Sequence, residues 1–308
     1  MTSRKKYPQE DYRRDYLSRR DVIKRILALG GISAAGAYLA YAPEDYPWSL
    51  RDHSGLRGMP VELAFQLPDF RVEPANPSVQ VGVGRGGDAR TMLLKALDAI
   101  GGLAHFVQPG DVVLIKPNVA FDRSPNLGAT TNPAIIDRLV RLLLVDARAA
   151  EVRVADNPIE SPADCFAKSG IGAAAEQAGG RVYLPDANAF ELLYTPGAKL
   201  IEQWAFFKRP CKDVNKVIGI APAKDHNLCH ASLGIKNWYG LLGGRRNQFH
   251  QDIHEIVSDL SIMIRPTLTI VDGTRVLMEN GPTGGDPSNV RDGNAILAGI
   301  DPVATDAW

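Results

Sequence analysis

The stretch VVLIKPN, residues 112–118, is the best guide to the fold of this chain. Its first four residues form an unbroken apolar run, which is typical of a strand buried on both faces of a parallel sheet. Lys116 and Asn118 follow the run directly. Ligands of open parallel sheets bind beyond the carboxyl ends of the strands. The stretch therefore predicts both a buried strand and a polar edge where a ligand could bind.

Outward from this strand, segments with strand and helix patterns alternate along the chain. Asn132 followed by Pro133 is typical of a helix start, with Asn as the N-cap. We predict further strands at residues 79–83, 152–155, 182–184, 217–221 and 268–271, and helices at 88–100, 133–144, 161–178 and 250–264. This alternation predicts βαβ units, and so an α/β fold with a mostly parallel, three-layer, Rossmann-like sheet and helices on both faces.

The N-terminal segment has the pattern of an export signal. Residues 1–25 hold nine of the 35 Lys and Arg residues, and an uncharged stretch follows at 26–42. Within the basic part, SRRDVIK (18–24) has the twin-arginine pattern, with Arg19 and Arg20 as the pair. The alternative is a basic membrane-surface helix or an uncleaved anchor. We expect export by the twin-arginine translocase to a periplasmic or extracytoplasmic location. Segment 26–42 is then either cleaved or kept as a membrane tether.

The rest of the chain divides into a linker and one domain. Residues 43–78 are rich in Pro, Asp and Arg and show little periodicity, so we interpret them as a linker. Residues 79–308 form the α/β domain. The pair Asp301-Pro302 resembles a helix start, yet six residues follow it. We therefore expect the natural domain to continue beyond residue 308.

Composition excludes two classes of function. From Ile26 onward the chain has 26 basic and 31 acidic residues, which argues against a nucleic-acid-binding surface. The three cysteines, Cys165, Cys211 and Cys229, form no CxxC motif. The sequence therefore encodes no iron–sulfur run and no zinc ribbon.

Polar side chains follow the apolar strands of the predicted sheet. Lys224 and His226 come after one strand and Asp272 after another, and the segment GIKNWYG (234–240) supplies Lys236 and Asn237. Loops are usually polar, and this alone explains part of the pattern. It explains less well why two lysines, Lys116 and Lys224, lie close behind apolar runs. We predict catalytic roles for one set of side chains and cofactor-binding roles for another. The catalytic set is Lys116, Lys224, His226, Lys236 and Asp272, and the cofactor-binding set includes Asn118 and Asn237.

Two histidine pairs and one glycine-rich loop are further candidates. His226/His230 and His250/His254 are spaced four residues apart, which on a helix would place each pair on one face and allow metal binding. We predict His226, His250 and His254 as ligands of a divalent metal; ordinary hydrogen-bonded histidines are the alternative. In ENGPTGGDP (279–287), Gly281 and Gly284 could present backbone N–H groups to a cofactor anion, or the loop could be a flexible hairpin tip.

Taken together, several segments resemble the DUF362 family. They are VLIKPN (113–118), TNP (131–133), DNP (156–158), KN (236–237) with Gly240, LTIVDG (268–273), NGP (280–282) and DPVATDA (301–307). The resemblance implies the predicted α/β domain but no defined reaction, and some family members carry cysteine runs that this chain lacks. Two functions remain open. One is an exported enzyme that uses a metal or another cofactor on a small anionic substrate; the other is a non-catalytic periplasmic binding or assembly module tethered to the membrane.

Overall fold

The computed structural model describes residues 64–308. Ten strands lie in this part of the chain: β1 Val81–Arg85, β2 Val112–Lys116, β3 Glu151–Ala155, β4 Arg181–Tyr183, β5 Phe190–Tyr194, β6 Gln203–Phe207, β7 Lys216–His226, β8 His230–Ser232, β9 Leu268–Leu277 and β10 Val290–Gly299. The predicted strands at 112–115 and 152–155 are confirmed almost to the residue. The strand predicted at 217–221 is wrong in length, because β7 continues past Pro222 to His226.

Eight α-helices connect and cover these strands in the described region: α1 Ala89–Ala99, α2 Leu103–Phe106, α3 Pro133–Arg141, α4 Pro162–Lys168, α5 Ile171–Gln177, α6 Gly234–Asn237, α7 Ile253–Met263 and α8 Pro302–Ala307. Asn132 caps α3 as predicted, since its side chain accepts a hydrogen bond from the Ala134 N–H. The single helix predicted over 161–178 is in fact two helices, because Gly170 adopts a left-handed conformation (φ 72°) between them.

The main sheet has the strand order β1-β10-β9-β7-β2-β3-β4, with β8 paired to β7. Strands β9, β7, β2, β3 and β4 are mutually parallel, and β10 is antiparallel to both of its neighbours. This arrangement confirms the predicted mostly parallel α/β class. Because the central strands are parallel, their carboxyl ends meet at one edge of the sheet.

Two apolar cores lie on the two faces of the sheet. On one face, residues such as Leu93, Leu139 and Phe166 from the helices pack against Ile115 and Ile220 of the strands. On the other, Leu114 packs with the β5–β6 hairpin, the segment 238–242 and α7. The fold therefore has three layers. Helices cover one face of the sheet, and the β5–β6 hairpin, segment 238–242 and α7 cover the other.

Several predictions lie outside the described residues. They are the twin-arginine segment with Arg19 and Arg20, the tether at 26–42 and most of the 43–78 linker. Within residues 64–308, no helix combines the length and apolar character needed to cross a bilayer.

Candidate functional site

A cavity of about 70 Å³ lies at the carboxyl ends of β2, β3 and β7. The basic side chains that line it are Lys116, Lys224, Lys236 and Arg246, whereas Asp156 is the one carboxylate among the described lining residues. The excess of positive charge suits a small anion.

Lys116, the last residue of β2, forms a buried ion pair. Its Nζ lies 2.8 Å from Oδ1 of Asp156, and both side chains are 1% exposed. Oδ2 of Asp156 accepts a second hydrogen bond, from the Val119 N–H at 2.7 Å. Burial lowers the pKa of Lys116 to about 8, while the Asp156 carboxylate opposes this shift by favouring the charged amine. The charge of Lys116 is thus balanced by the carboxylate of Asp156.

Lys224, near the end of β7, is buried without such compensation. Its side chain is 4% exposed, and its Nζ donates to Ala129 O at 2.7 Å and to Asn118 Oδ1 at 3.2 Å. Within residues 64–308 no carboxylate forms an ion pair with it. Burial, together with the positive charges of Lys236 and Lys116, lowers the pKa of Lys224 to about 7.

Two amide side chains connect the two buried lysines. Asn237 Nδ2 donates to the carbonyls of Lys116 and Ile220, both at 3.2 Å, so its Oδ1 must be the acceptor. That Oδ1 accepts from Lys116 Nζ at 2.8 Å and from Asn118 Nδ2 at 3.1 Å. The oxygen of Asn118 is then left to accept from Lys224. These bonds fix both amide orientations and hold the two amines in place.

His226 ends β7 and is 2% exposed. The Leu228 N–H donates to its Nδ1 at 3.2 Å, so a neutral ring carries its proton on Nε2. Burial, with help from the charge of Lys236, lowers the pKa of His226 to about 4, so the ring is neutral at pH 7. Within residues 64–308, Nε2 has no hydrogen-bond partner. His226 therefore lines the cavity with an unused N–H donor.

His250 has the opposite tautomer. Its Nδ1 lies 3.0 Å from Asn247 O and 3.3 Å from the hydroxyl oxygen of Tyr239, whose own proton is donated to Arg246 O. Both neighbours of Nδ1 are acceptors, so Nδ1 carries the proton and Nε2 keeps its lone pair. The His226 and His250 rings are almost parallel, at 9°, with centroids 6.2 Å apart.

Arg246 ties together the loops around the cavity. It is 6% exposed and donates to the carbonyls of Tyr239, Leu242, Asn157 and Pro158 at 2.6–3.2 Å. These carbonyls satisfy the guanidinium without neutralising its charge. Burial accordingly lowers its pKa from the ordinary value. Arg246 therefore adds a fixed positive charge to the site.

Comparison with known proteins places the chain in a family. The family model described as "Domain of unknown function (DUF362)" matches residues 113–308, which is more than half of the chain and includes every charged side chain of the cavity described above. The chain belongs to the DUF362 family.

The DUF362 chain is also similar to a thylakoid-associated protein of Synechocystis sp., with 26% identity over 219 residues. The alignment covers 66% of this chain and 64% of the relative, so the chain spans a little under two thirds of the length of that protein.

Two solved structures resemble parts of this DUF362 protein. The lactate racemase apoprotein of Thermoanaerobacterium thermosaccharolyticum aligns with a TM-score of 0.41 and 16% identity, over 79% of this chain and 58% of the racemase. A Thermotoga maritima protein aligns with a TM-score of 0.38 and 12% identity, over 65% of this chain and 54% of that protein.

The structure brings most of the predicted site residues of this DUF362 protein to one cavity. Predicted residues among its lining are Lys116, Asn118, Lys224, His226, Lys236, Asn237 and His250. Asp272 is not among the lining residues. Its buried carboxylate accepts from the Asn132 N–H at 2.9 Å and from Thr274, so it joins β9 to the start of α3. These contacts give Asp272 a structural role and place its carboxylate outside the set of cavity-lining residues.

Gly281 and Gly284 also differ from their predicted role. The Gly281 N–H donates to Asp225 Oδ2 at 2.9 Å, and the Gly284 N–H to Asn280 O at 3.1 Å. Both backbone donors are used inside the protein, so neither is free to hold a cofactor anion. Their neighbour Pro282 does line the cavity.

The three histidines predicted as metal ligands do not converge. His226 and His230 face each other across the β7–β8 hairpin, whereas this spacing gives a shared face only on a helix. His254 lines a different cavity with Cys229 and Asp306. A metal-bound histidine normally donates its second N–H, whereas Nδ1 of His226 is an acceptor. Across residues 64–308 no group of three or more His, Cys, Asp or Glu side chains is arranged to hold a metal ion.

Sequence reasoning assigned no site role to Asp156, Arg246 or Tyr239. Asp156 follows β3 directly, and its position after an apolar strand was the available signal. Arg246 and Tyr239 carry no comparable signal, since a buried arginine bonded to four carbonyls depends on contacts between distant loops.

Proposed function

We propose that this DUF362 protein is an enzyme that binds a small anionic substrate in the cavity and uses Lys224 as its reactive amine. The observation that carries the proposal is the burial of Lys224 beside Lys116 and Lys236 with no carboxylate partner in the described region. Such a lysine costs folding free energy. A pKa near 7 is also what general acid–base or nucleophilic catalysis requires of an amine.

The charge and size of the cavity support the substrate class. An anion would compensate the buried positive charges that Asp156 alone leaves unbalanced. A cavity volume of about 70 Å³ limits the bound part to a few heavy atoms. The unused Nε2–H of His226 adds a directed hydrogen bond for an oxygen of the ligand.

The alternative is a non-catalytic binding or assembly module. A surface that only contacts a partner has no need of a buried amine with a lowered pKa. Trp238 is a large aromatic side chain that could contact a partner only if it were exposed, but its ring is 1% exposed and packs inside the protein. These observations favour the enzyme. Export by the twin-arginine translocase, with Arg19 and Arg20 as the pair, remains part of the proposal and concerns the first 42 residues.

The experiment is a calorimetric titration of the full chain with acetate and with inorganic phosphate, on the wild type and on Lys224→Met. We expect one saturable site for at least one anion, and loss of that binding in the variant. Lys199→Met is the matched control, because Lys199 is an exposed lysine paired with Glu255. Absence of binding by either anion, or equal binding by Lys224→Met and wild type, would refute the proposal.

A further inference from the structure

The hydrogen bonds of Lys224 match those of a neutral amine. An ammonium group has three donors, whereas a neutral amine has two donors and one lone pair. Two acceptors contact Lys224 Nζ, namely Ala129 O and Asn118 Oδ1. Both N–H bonds of the neutral form are thereby used, and the Phe121 ring centroid lies 5.2 Å from Nζ. Asn237 holds the Asn118 amide in the orientation that this requires.

Lys116 shows the contrast within the same cavity. Its Nζ contacts the Asp156 carboxylate and Asn237 Oδ1, both at 2.8 Å, which suits a charged ammonium. A lysine kept neutral by burial and by neighbouring cations is an activated nucleophile, and its characteristic target is a carbonyl carbon. The two lysines therefore have different roles: Lys116 provides charge, and Lys224 provides a lone pair.

His226 supplies a hydrogen-bond donor for a carbonyl oxygen of the ligand. Its buried Nε2–H has no hydrogen-bond partner in the described part of the chain. The Leu228 N–H on Nδ1 keeps the ring proton on Nε2, so Nε2 stays a donor. A fixed donor of this kind stabilises the negative charge that grows on a carbonyl oxygen under nucleophilic attack. The charges of Lys236 and Arg246 suit a carboxylate on the same molecule.

We propose that the cavity binds a small carboxylate that also bears a carbonyl group, a short 2-oxo acid, and that Lys224 forms a Schiff base with its carbonyl carbon while His226 Nε2–H hydrogen-bonds the carbonyl oxygen. This inference rests on the proposed function and names its substrate class. The Lys224 lone pair forms the N–C bond, and a proton from the nitrogen moves to the oxygen to give a carbinolamine. Loss of that hydroxyl with the second amine proton, as water, gives the imine. No other reactant is consumed.

The test is borohydride trapping on the full chain. The protein is incubated with pyruvate as the probe and then reduced with sodium borohydride, which adds hydride to the imine carbon. We expect one covalent adduct, with a mass gain equal to pyruvate less one oxygen atom, and peptide mapping should place it on Lys224. Lys224→Met should form no adduct. Lys199→Met, which alters an exposed lysine paired with Glu255, should still form one.

A second variant separates the role of His226 from simple folding. His226→Phe keeps a buried aromatic ring but removes the donor, so we expect adduct formation on the order of a hundredfold slower with Lys224 still the modified residue. An unchanged rate in a folded His226→Phe would overturn the role of the donor.

The outcomes distinguish this inference from the proposed function. Saturable acetate or phosphate binding without a trapped adduct, or an adduct on other lysines, would overturn the Schiff base and leave the anion site intact. Absence of both anion binding and adduct would reject both proposals.

Discussion

Lys116 and Lys224 lie at the same cavity, yet in the described part of the chain only Lys116 contacts a carboxylate, that of Asp156 at 2.8 Å. The amides of Asn118 and Asn237 bridge the two amines and fix their separation. Lys116 is therefore paired with a carboxylate, whereas Lys224 is held by an amide and a carbonyl.

Replacing Lys224 by methionine should stabilise the protein at neutral pH. In the folded state its pKa is lowered from the ordinary 10.5 to about 7. Between these values the unfolded chain binds more protons, so this lysine makes wild-type stability rise with pH. The advantage of Lys224→Met should be greatest below about pH 7 and disappear above pH 10.5. We expect the free energy of unfolding of Lys224→Met to exceed that of the wild type by a few kcal/mol at neutral pH, since a pKa shift of one unit corresponds to about 1.4 kcal/mol.

Urea denaturation of both proteins across this pH range measures the difference. Lys199→Met, which alters an exposed ion pair, should show no such trend. An advantage of Lys224→Met that stayed constant with pH would show that burial does not perturb this amine.

Asp156→Asn should be strongly destabilising. The change removes the charge that compensates Lys116 while both side chains stay buried, at a cost of about 3–5 kcal/mol. Adding Lys116→Met to Asp156→Asn should recover more than half of the loss, because no uncompensated charge then remains. Chemical denaturation of the two single variants and the double variant gives the coupling. Additive effects would mean that the pair does not act as a unit.

Gly240→Ala should damage the site directly. A Cβ at Gly240 would clash with Asp156 Oδ1 and lie 2.6 Å from Lys116 Nζ. We expect a loss of about 1–3 kcal/mol from overpacking, together with loss of acetate binding. Gly172→Ala is the control: its Cβ would lie 3.3 Å from the nearest heavy atom, and alanine favours the helix α5. Tight acetate binding by Gly240→Ala would contradict the described geometry.

The two stacked histidines should have opposite tautomers. Leu228 donates to Nδ1 of His226, whereas Asn247 accepts from Nδ1 of His250. Heteronuclear NMR of the imidazole nitrogens should therefore show His226 protonated at Nε2 and His250 protonated at Nδ1. The His226 ring should stay neutral at pH 6, since burial lowers its pKa to about 4. Finding the Nδ1 tautomer at His226 would remove the donor on which the substrate class depends.

Sequence patterns predicted the central fold well, because the apolar strands and the Asn132 cap are local features. The run at 112–115 and the cap of α3 are both confirmed. Strand β10 and the hairpin β5–β6 were missed. The first half of β10 is polar and exposed, so it lacks the apolar run of a buried strand. The end of β7 was missed because Pro222 interrupts its apolar pattern.

The position of the site could be predicted from the sequence, but the protonation of its side chains could not. Parallel strands bring their carboxyl ends to one edge, which is why Lys116, Lys224 and His226 all line the cavity. The lone pair of Lys224 and the tautomer of His226 depend on contacts with Ala129 O and the Leu228 N–H. Those contacts are set by tertiary structure, and spacing along the chain does not reveal them. For His226 and His230, four-residue spacing does not give a shared face, because it does so only on a helix and these two residues lie in a β-hairpin.

The most direct test of the account is the pKa of Lys224, measured by NMR of the lysine Nζ groups in the wild type and assigned with Lys224→Met. We expect one amine to titrate near pH 7 in the free protein, with its pKa raised on addition of acetate, because a bound anion favours the charged form. A Lys224 amine that titrates at its ordinary value of 10.5 and does not respond to acetate would contradict it.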